Sequence, residues 1–142
     1  MSAGSPTPPI TFIDTNIWLY AFSDSQDKQK TQQAKTVIRQ TPHIALSTQI
    51  INEVSINLLR KFQADEADVR KLIRTFYRKY IVVELNLGIL LQASDLRVAY
   101  YFSFWDSLVV ASALMVGASV LYSEDMHDGL TVNNQLSISN PL

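Results

Sequence analysis

The sequence predicts an α/β fold with three layers, α/β/α, around a central, mostly parallel sheet of four to five strands. Three observations carry that expectation. Short apolar or β-branched runs at residues 10–13, 44–47, 80–85 and 119–122 alternate with longer segments of helical periodicity. Parallel strands need crossover connections, and alternation of strand and helix supplies them, with right-handed crossovers placing helices on both faces. The first run, Ile10-Thr11-Phe12-Ile13, stops abruptly on Asp14, Thr15 and Asn16. That pattern suits a buried strand delivering a carboxylate to its C-terminal edge, where open α/β sheets build their sites.

The chain has 142 residues, 47% of them hydrophobic, which is enough for one substantial core and too little for two ordinary domains. Residues 10–142 are therefore expected to form a single domain. Residues 1–9, with no basic side chain and no apolar core, are expected to be a loose tail and not a secretory signal. Twelve Lys and Arg against thirteen Asp and Glu give a formal net charge of -1, so no broad basic field advertises nucleic acid. A local cluster at Arg70, Lys71, Arg74, Arg78 and Lys79 keeps such a substrate open. The absence of cysteine excludes disulfides, thiol nucleophiles and zinc-thiolate sites and fits a reducing cytoplasm. The longest apolar stretch, residues 107–122, is interrupted by Gly117 and several Ser. It falls short of the roughly 20 residues of a membrane span and parses as a helix followed by a strand.

In chain order, Asp14, Thr15 or Asn16 can cap a short helix over 17–22. Residues 27–40 form an amphipathic helix with Ala34, Val37 and Ile38 inward, ended at Thr41-Pro42. The strand at 44–47 leads through the Ser47 and Thr48 cap into a helix to about Phe62, with Ile51, Val54, Leu58 and Phe62 as one apolar stripe. Glu53 lies off that stripe. A helix over 65–79 turns Val69, Leu72, Ile73 and Phe76 inward and its basic residues outward. After the strand at 80–85, Asn86 caps a helix to about Tyr101. Ser103 and Asp106 read as a capping box for a helix to Val116 that Gly117 stops. The strand at 119–122 ends in Ser123-Glu124-Asp125, and a short further strand is expected at 136–138.

With all strand C-termini at one edge, Asp14 and Asp125 arrive there directly, and Glu53 and Asp106 arrive in the early turns of helices that start from it. Carboxylates about 5 Å apart repel by roughly 3 kcal/mol per pair at an effective dielectric near 20, so such a group persists when protons or a cation neutralise it. Oxygen donors, with only two His in the chain, select Mg²⁺ or Mn²⁺ over zinc. An ion of that kind serves phosphodiester hydrolysis. Singly, each acid also has an ordinary role. Asp14 and Asp106 suit helix caps, Glu53 a solvated face, and Asp125, followed by Met126-His127-Asp128-Gly129, a turn.

Phe12-Ile13-Asp14-Thr15-Asn16, the Ser47-led helix bearing Glu53, Ser103-Phe104-Trp105-Asp106-Ser107 before an Ala-rich helix, and Ser123-Glu124-Asp125 after the last main strand resemble the PIN domain. The fold this resemblance implies is Rossmann-like, and the order and spacing look most like the small VapC-type toxins of bacterial toxin-antitoxin pairs. The resemblance implies that Asp14, Glu53, Asp106 and Asp125 form the acidic quartet of a Mg²⁺- or Mn²⁺-dependent endoribonuclease, with Asp14 and Asp106 the foremost metal ligands. It implies supporting roles for Asn16 and Ser123, and a structural rather than ligating one for Asp128. It further implies a cytoplasmic, homodimeric protein, inhibited by a partner antitoxin whose tail enters the acidic cleft. At neutral overall charge, RNA would need a local basic patch, for which Arg60, Lys61, Arg70, Arg74 and Arg97 are candidates.

Other chemistries fit less well. A haloacid-dehalogenase-like phosphatase wants a second Asp where Asn16 stands, a receiver-type domain wants a late Lys where none follows Lys79, and His43 and His127 lack a nucleophile-elbow context. The alternative that stays open is a catalytically silent PIN-like binding or scaffold module working through a protein partner. Which RNA is cut, which antitoxin is bound and how many ions are held are not written in these motifs.

Overall fold

The computed structural model describes residues 8–23 and 27–142; of the expected tail, 1–7 lie outside the described residues. Strand β1 (Thr11–Ile13) occupies the middle of the sheet, with β2 (Ile44–Ser47) beside it and β3 (Ile81–Val83) beyond. On the other side come β4 (Val120–Tyr122), then β6 (Leu136–Ser139), then β5 (Thr131–Val132) at the edge. The order β3-β2-β1-β4-β6-β5 is parallel throughout except for the β5–β6 pair. Because β1 neighbours both β2 and β4, the strand order reverses direction at its C-terminal end, the place where open α/β sheets hold ligands. Phe12 and Ile13 are fully buried, and Thr11 pairs with both Ile44 and Val120.

Six strands replace the four to five expected. The addition, β5, is built by Asn133 and Asn134 at φ 51° and 53°, with the Gln135 N–H bonded to the Val132 carbonyl at 3.0 Å. Two consecutive left-handed residues make a hairpin turn of the primed kind, which asparagine tolerates. At the other edge β3 spans less than the expected 80–85; it starts one residue late because the Tyr80 N–H still bonds to Phe76 O at 3.0 Å and closes the preceding helix.

The helices are α1 (Thr15–Phe22), α2 (Lys28–Gln40), α3 (Thr48–Lys61), α4 (Glu66–Lys79), α5 (Leu87–Tyr100) and α6 (Phe104–Met115). Asp14, Asp27, Ser47, Asp65, Asn86 and Ser103 each cap one with a side-chain oxygen. Ser103 Oγ accepts from the Asp106 N–H at 3.2 Å, while the full reciprocal box forms at α4, between Asp65 and Asp68. In α3 the buried stripe is Ile50, Ile51, Val54 and Leu58. Phe62 stays outside it, because the helix ends at Lys61 and Phe62, as C-cap, leaves the helical path at φ -122°. In α4 Val69 and Phe76 are buried, and Leu72 and Ile73 are half-buried against the core.

Helix α6 is the central wedge. Every residue from Ser107 to Leu114 is buried, and Ala111, Ser112 and Ala113 leave room for close approach of α5 and the sheet. Its end is a Schellman motif, in which Ala118 N bonds to Ala113 O and Gly117 N to Leu114 O, both at 3.0 Å, with Gly117 at φ +77°. Trp18 fastens α1 to its own strand. Its Nε1–H donates to Ile13 O at 3.0 Å, and its ring packs on Phe22, Phe76 and Tyr80. Among the described residues no single helix is long and apolar enough to cross a membrane; α5 and α6 pass such a test only jointly and meet at 117°.

Candidate active site

The C-terminal end of β1 turns straight into α1, and that junction organises the site. Asp14 is extended (φ -77°, ψ 165°) and caps α1 by accepting from the Thr15 N–H at 2.8 Å. Its other oxygen accepts from Ser123 Oγ at 2.9 Å, and Ser123 in turn accepts from the Met126 N–H at 3.3 Å. Ser123 is fully buried, and its N–H bonds to Ser139 O at 3.0 Å, so β6 holds the loop after β4 against Asp14.

The next two residues of α1 reach the other acids. Thr15 Oγ1 donates to Glu53 Oε2 at 2.5 Å, across the α1–α3 packing. Asn16 Nδ2 donates to Asp125 Oδ2. Glu53 is also held by Gln49 Nε2 at 3.0 Å, and the same amide nitrogen donates to the Trp105 carbonyl at 3.3 Å. The residue before the α6 acid is thereby tied to the residue one turn before the α3 acid.

The electrostatic shifts of the site fall on Asp14 and Asp106. The Asp14 pKa is pushed up to about 6, chiefly because burial strips water from it, with Glu53 and Asp106 adding repulsion against the opposing hydrogen bonds from Thr15 and Ser123. Asp106 is raised too, again by desolvation first and then by Asp125 and Glu53, with Ser103 acting in the opposite direction. The four acids thus face one end of the sheet. Among the described residues, no three Asp, Glu or His side chains are drawn together into a formed metal cage. Glu53 and Asp125 point their oxygens at Thr15, Gln49 and Asn16 instead.

Asp128 stands apart and accepts from the Asn140 N–H at 2.9 Å, clasping the C-terminal segment. Of the candidate basic residues, Arg97 is engaged internally: it donates to Ser107 Oγ at 2.7 Å and covers the Phe104 ring at 4.5 Å. Arg70 and Arg74 line the outer face of α4 with Arg78. Sequence reasoning missed Thr15 and Gln49 as holders of Glu53. Their signal was present only as position, one residue after Asp14 and one helical turn before Glu53. It also missed the clamp on Glu124, which accepts from Tyr20 Oη at 2.9 Å and pairs with Lys30 Nζ at 2.6 Å.

A parallel sheet carrying coupled acids at its switch point, capped by helices from both sides, defines an α/β domain with an acidic site. The chain matches the PIN domain family over residues 11–127. It belongs to that family. Solved structures share the fold. A toxin-antitoxin complex from Klebsiella pneumoniae matches at TM-score 0.69 and 18% identity, covering 93% of this chain and 98% of that one. VapC20 of Mycobacterium tuberculosis, a Sarcin-Ricin loop cleaving toxin, matches at TM-score 0.67 and 20% identity over 81% and 89%. VapBC2 of Rickettsia felis, bound to a promoter DNA fragment, matches at 0.64 and 16% over 92% and 98%. No curated protein sequence matches the chain.

Proposed function

We propose that this protein is a divalent-metal-dependent endoribonuclease, the toxin of a type II toxin-antitoxin pair, working in the cytoplasm. The observation that carries the reading is the gathering of acids at the switch point: Asp14 held by the Thr15 N–H and Ser123, Glu53 held by Thr15 and Asp125 by Asn16, with burial raising the Asp14 pKa. A protein that keeps a carboxylate where its charge is disfavoured gains from a cation there. Hard oxygen donors fit Mg²⁺ or Mn²⁺, and Asp14 and Asp106 would hold the ion, with Asp125 and Glu53 completing the set. Bound there, such an ion supplies an activated water and neutralises charge developing on a phosphodiester.

The chain's own residues prepare that site. Ser123 and the Thr15 N–H fix both oxygens of Asp14, and Asn16 orients Asp125. Thr15 and Gln49 hold Glu53 from two sides. The solved relatives named as toxin-antitoxin assemblies and as a loop-cleaving toxin support both the RNA substrate and an antitoxin partner. A homodimer is supported by α5, where Leu87, Leu91 and Val98 are 71%, 59% and 77% exposed along one stripe, opposite the buried Ile89, Ala93 and Leu96.

The deciding experiment is cleavage of total RNA by wild type, Asp14→Asn and Asp106→Asn, with Mg²⁺ and with chelator. Wild type is expected to cut only with the ion, and both variants to stay folded and inactive. Equal cleavage by the Asn variants would sink the ligand assignment. The second reading, a silent PIN-like scaffold, is favoured by the caps that Asp14 forms and by the absence of a formed cage among the described residues. It predicts no cleavage by any of the three proteins, since Asn caps as well as Asp.

A further inference from the structure

Beside Glu53 a groove of about 840 Å³ opens between α3, the segment after β3 and the start of α6, lined by Gln49, Asn52, Ile56, Arg60, Leu85 and Trp105. Its volume lies in the range of small-molecule sites. We propose that this groove is a nucleotide subsite, in which a base of single-stranded RNA stacks on Trp105 and an adjoining phosphate meets Arg60. The proposal rests on the ribonuclease reading for its biological meaning, although the binding it asserts is separable from cleavage.

Four features argue for a nucleotide. Trp105 is 60% exposed, an unusual placement for so large an apolar ring. It is nevertheless held in place: its ring packs edge-on against Phe104 at 5.2 Å, Arg97 covers Phe104 from another direction, and its carbonyl accepts from Gln49. A fixed aromatic surface is what unstacked bases use, whatever their identity. Gln49 lines the groove and is buried, and its Oε1 has no hydrogen-bond partner among the described residues, an unsatisfied acceptor in the groove wall. Finally, Glu53 and Arg60 both line the groove, and seven residues of helix separate them by about 10 Å. The acid marks the end of the groove at the sheet edge. The guanidinium gives the far end the charge that a phosphate needs. An apolar protein segment would use Ile56, Leu85 and Trp105 but would leave the Arg60 guanidinium at the far end without purpose.

Trp18 is fully buried, so Trp105 reports ligand binding by fluorescence. The probe is a single-stranded RNA of roughly ten nucleotides, within the span one small domain covers, added in chelator so that nothing is cut. Wild type should show saturable quenching. Trp105→Leu should bind the same oligonucleotide, labelled and followed by anisotropy, roughly five- to a hundredfold more weakly, and Trp105→Phe much less so because it keeps a stacking face. Arg60→Gln should weaken binding and reduce the salt dependence by about one phosphate. Two results would overturn the subsite: Trp105→Leu binding like wild type, or acrylamide failing to reach Trp105 in RNA-free wild type but reaching it in Leu91→Glu at half the mass, which would assign the groove to a second copy. Intact cleavage with no Trp105 dependence of binding refutes the subsite alone. Trp105-dependent binding without cleavage in Mg²⁺ refutes the nuclease alone.

Discussion

Asp14 carries opposing demands: it caps α1 and accepts from Ser123, yet water is largely withheld from it and two other acids face it. Because its folded pKa of about 6 lies above the ordinary 3.8, the folded state binds a proton that the unfolded chain releases between those values. Stability of the metal-free protein therefore falls as pH rises from about 4 to about 6 and stays lower above, by up to about 3 kcal/mol. Denaturant melts in chelator should show that decline, and Asp14→Asn should flatten it. A second prediction concerns Thr15. Thr15→Val keeps the shape but removes the donor to Glu53, and should weaken divalent-ion affinity by roughly 10- to 100-fold, read by calorimetry, with little change in helix content. Asp14 was legible from its place after a strand end, and Asn16 and Ser123 were named for the site only through the family resemblance. Thr15 and Gln49 were not legible, because their partner is fixed by how α1 crosses α3, a packing outcome that spacing does not encode.

At the scale of elements, the helix starts could be read because capping is local chemistry: Ser47, Asn86 and Ser103 each meet an N–H within three residues. The Gly117 stop was equally legible, since an αL residue after an apolar helix is a backbone requirement. Phe62 and β5 were misjudged for opposite reasons. Phe62 continued a periodicity past the point where the helix stopped, and Asn133-Asn134 announced a hairpin whose flanking strands are too short to show alternation. Helix α6 supplies the prediction at this level. Ala113 is fully buried within this wedge, so Ala113→Leu should overpack it and cost roughly 1–3 kcal/mol in denaturant melts. A shift near zero would show that this face yields.

For the molecule as a whole, the site exists only because strand order puts β4 beside β1, which brings Ser123 to Asp14 from 109 residues away. Alternation of strands and helices forecast a parallel sheet but not which strands touch, so the meeting of the acids was an inference from topology rather than from any one motif. Helix α5 shows the same limit in reverse. It is apolar on both sides, and only the structure reveals which side the core leaves uncovered. If that stripe is the seam of a homodimer, Leu91→Glu should halve the mass seen by sedimentation while leaving circular dichroism unchanged; an unaltered mass would place the seam elsewhere.

The grip of Tyr20 and Lys30 on Glu124 bears on how this molecule answers its surroundings. A partly exposed ion pair adds little cohesion, but this one ties two separate helices to the neighbour of Asp125. Electrolyte that screens it slackens the strap, and the same electrolyte competes with any polyanion for the protein's cations. Ionic strength would thus act twice on a single function, once on the grip of the loop and once on the encounter with its target.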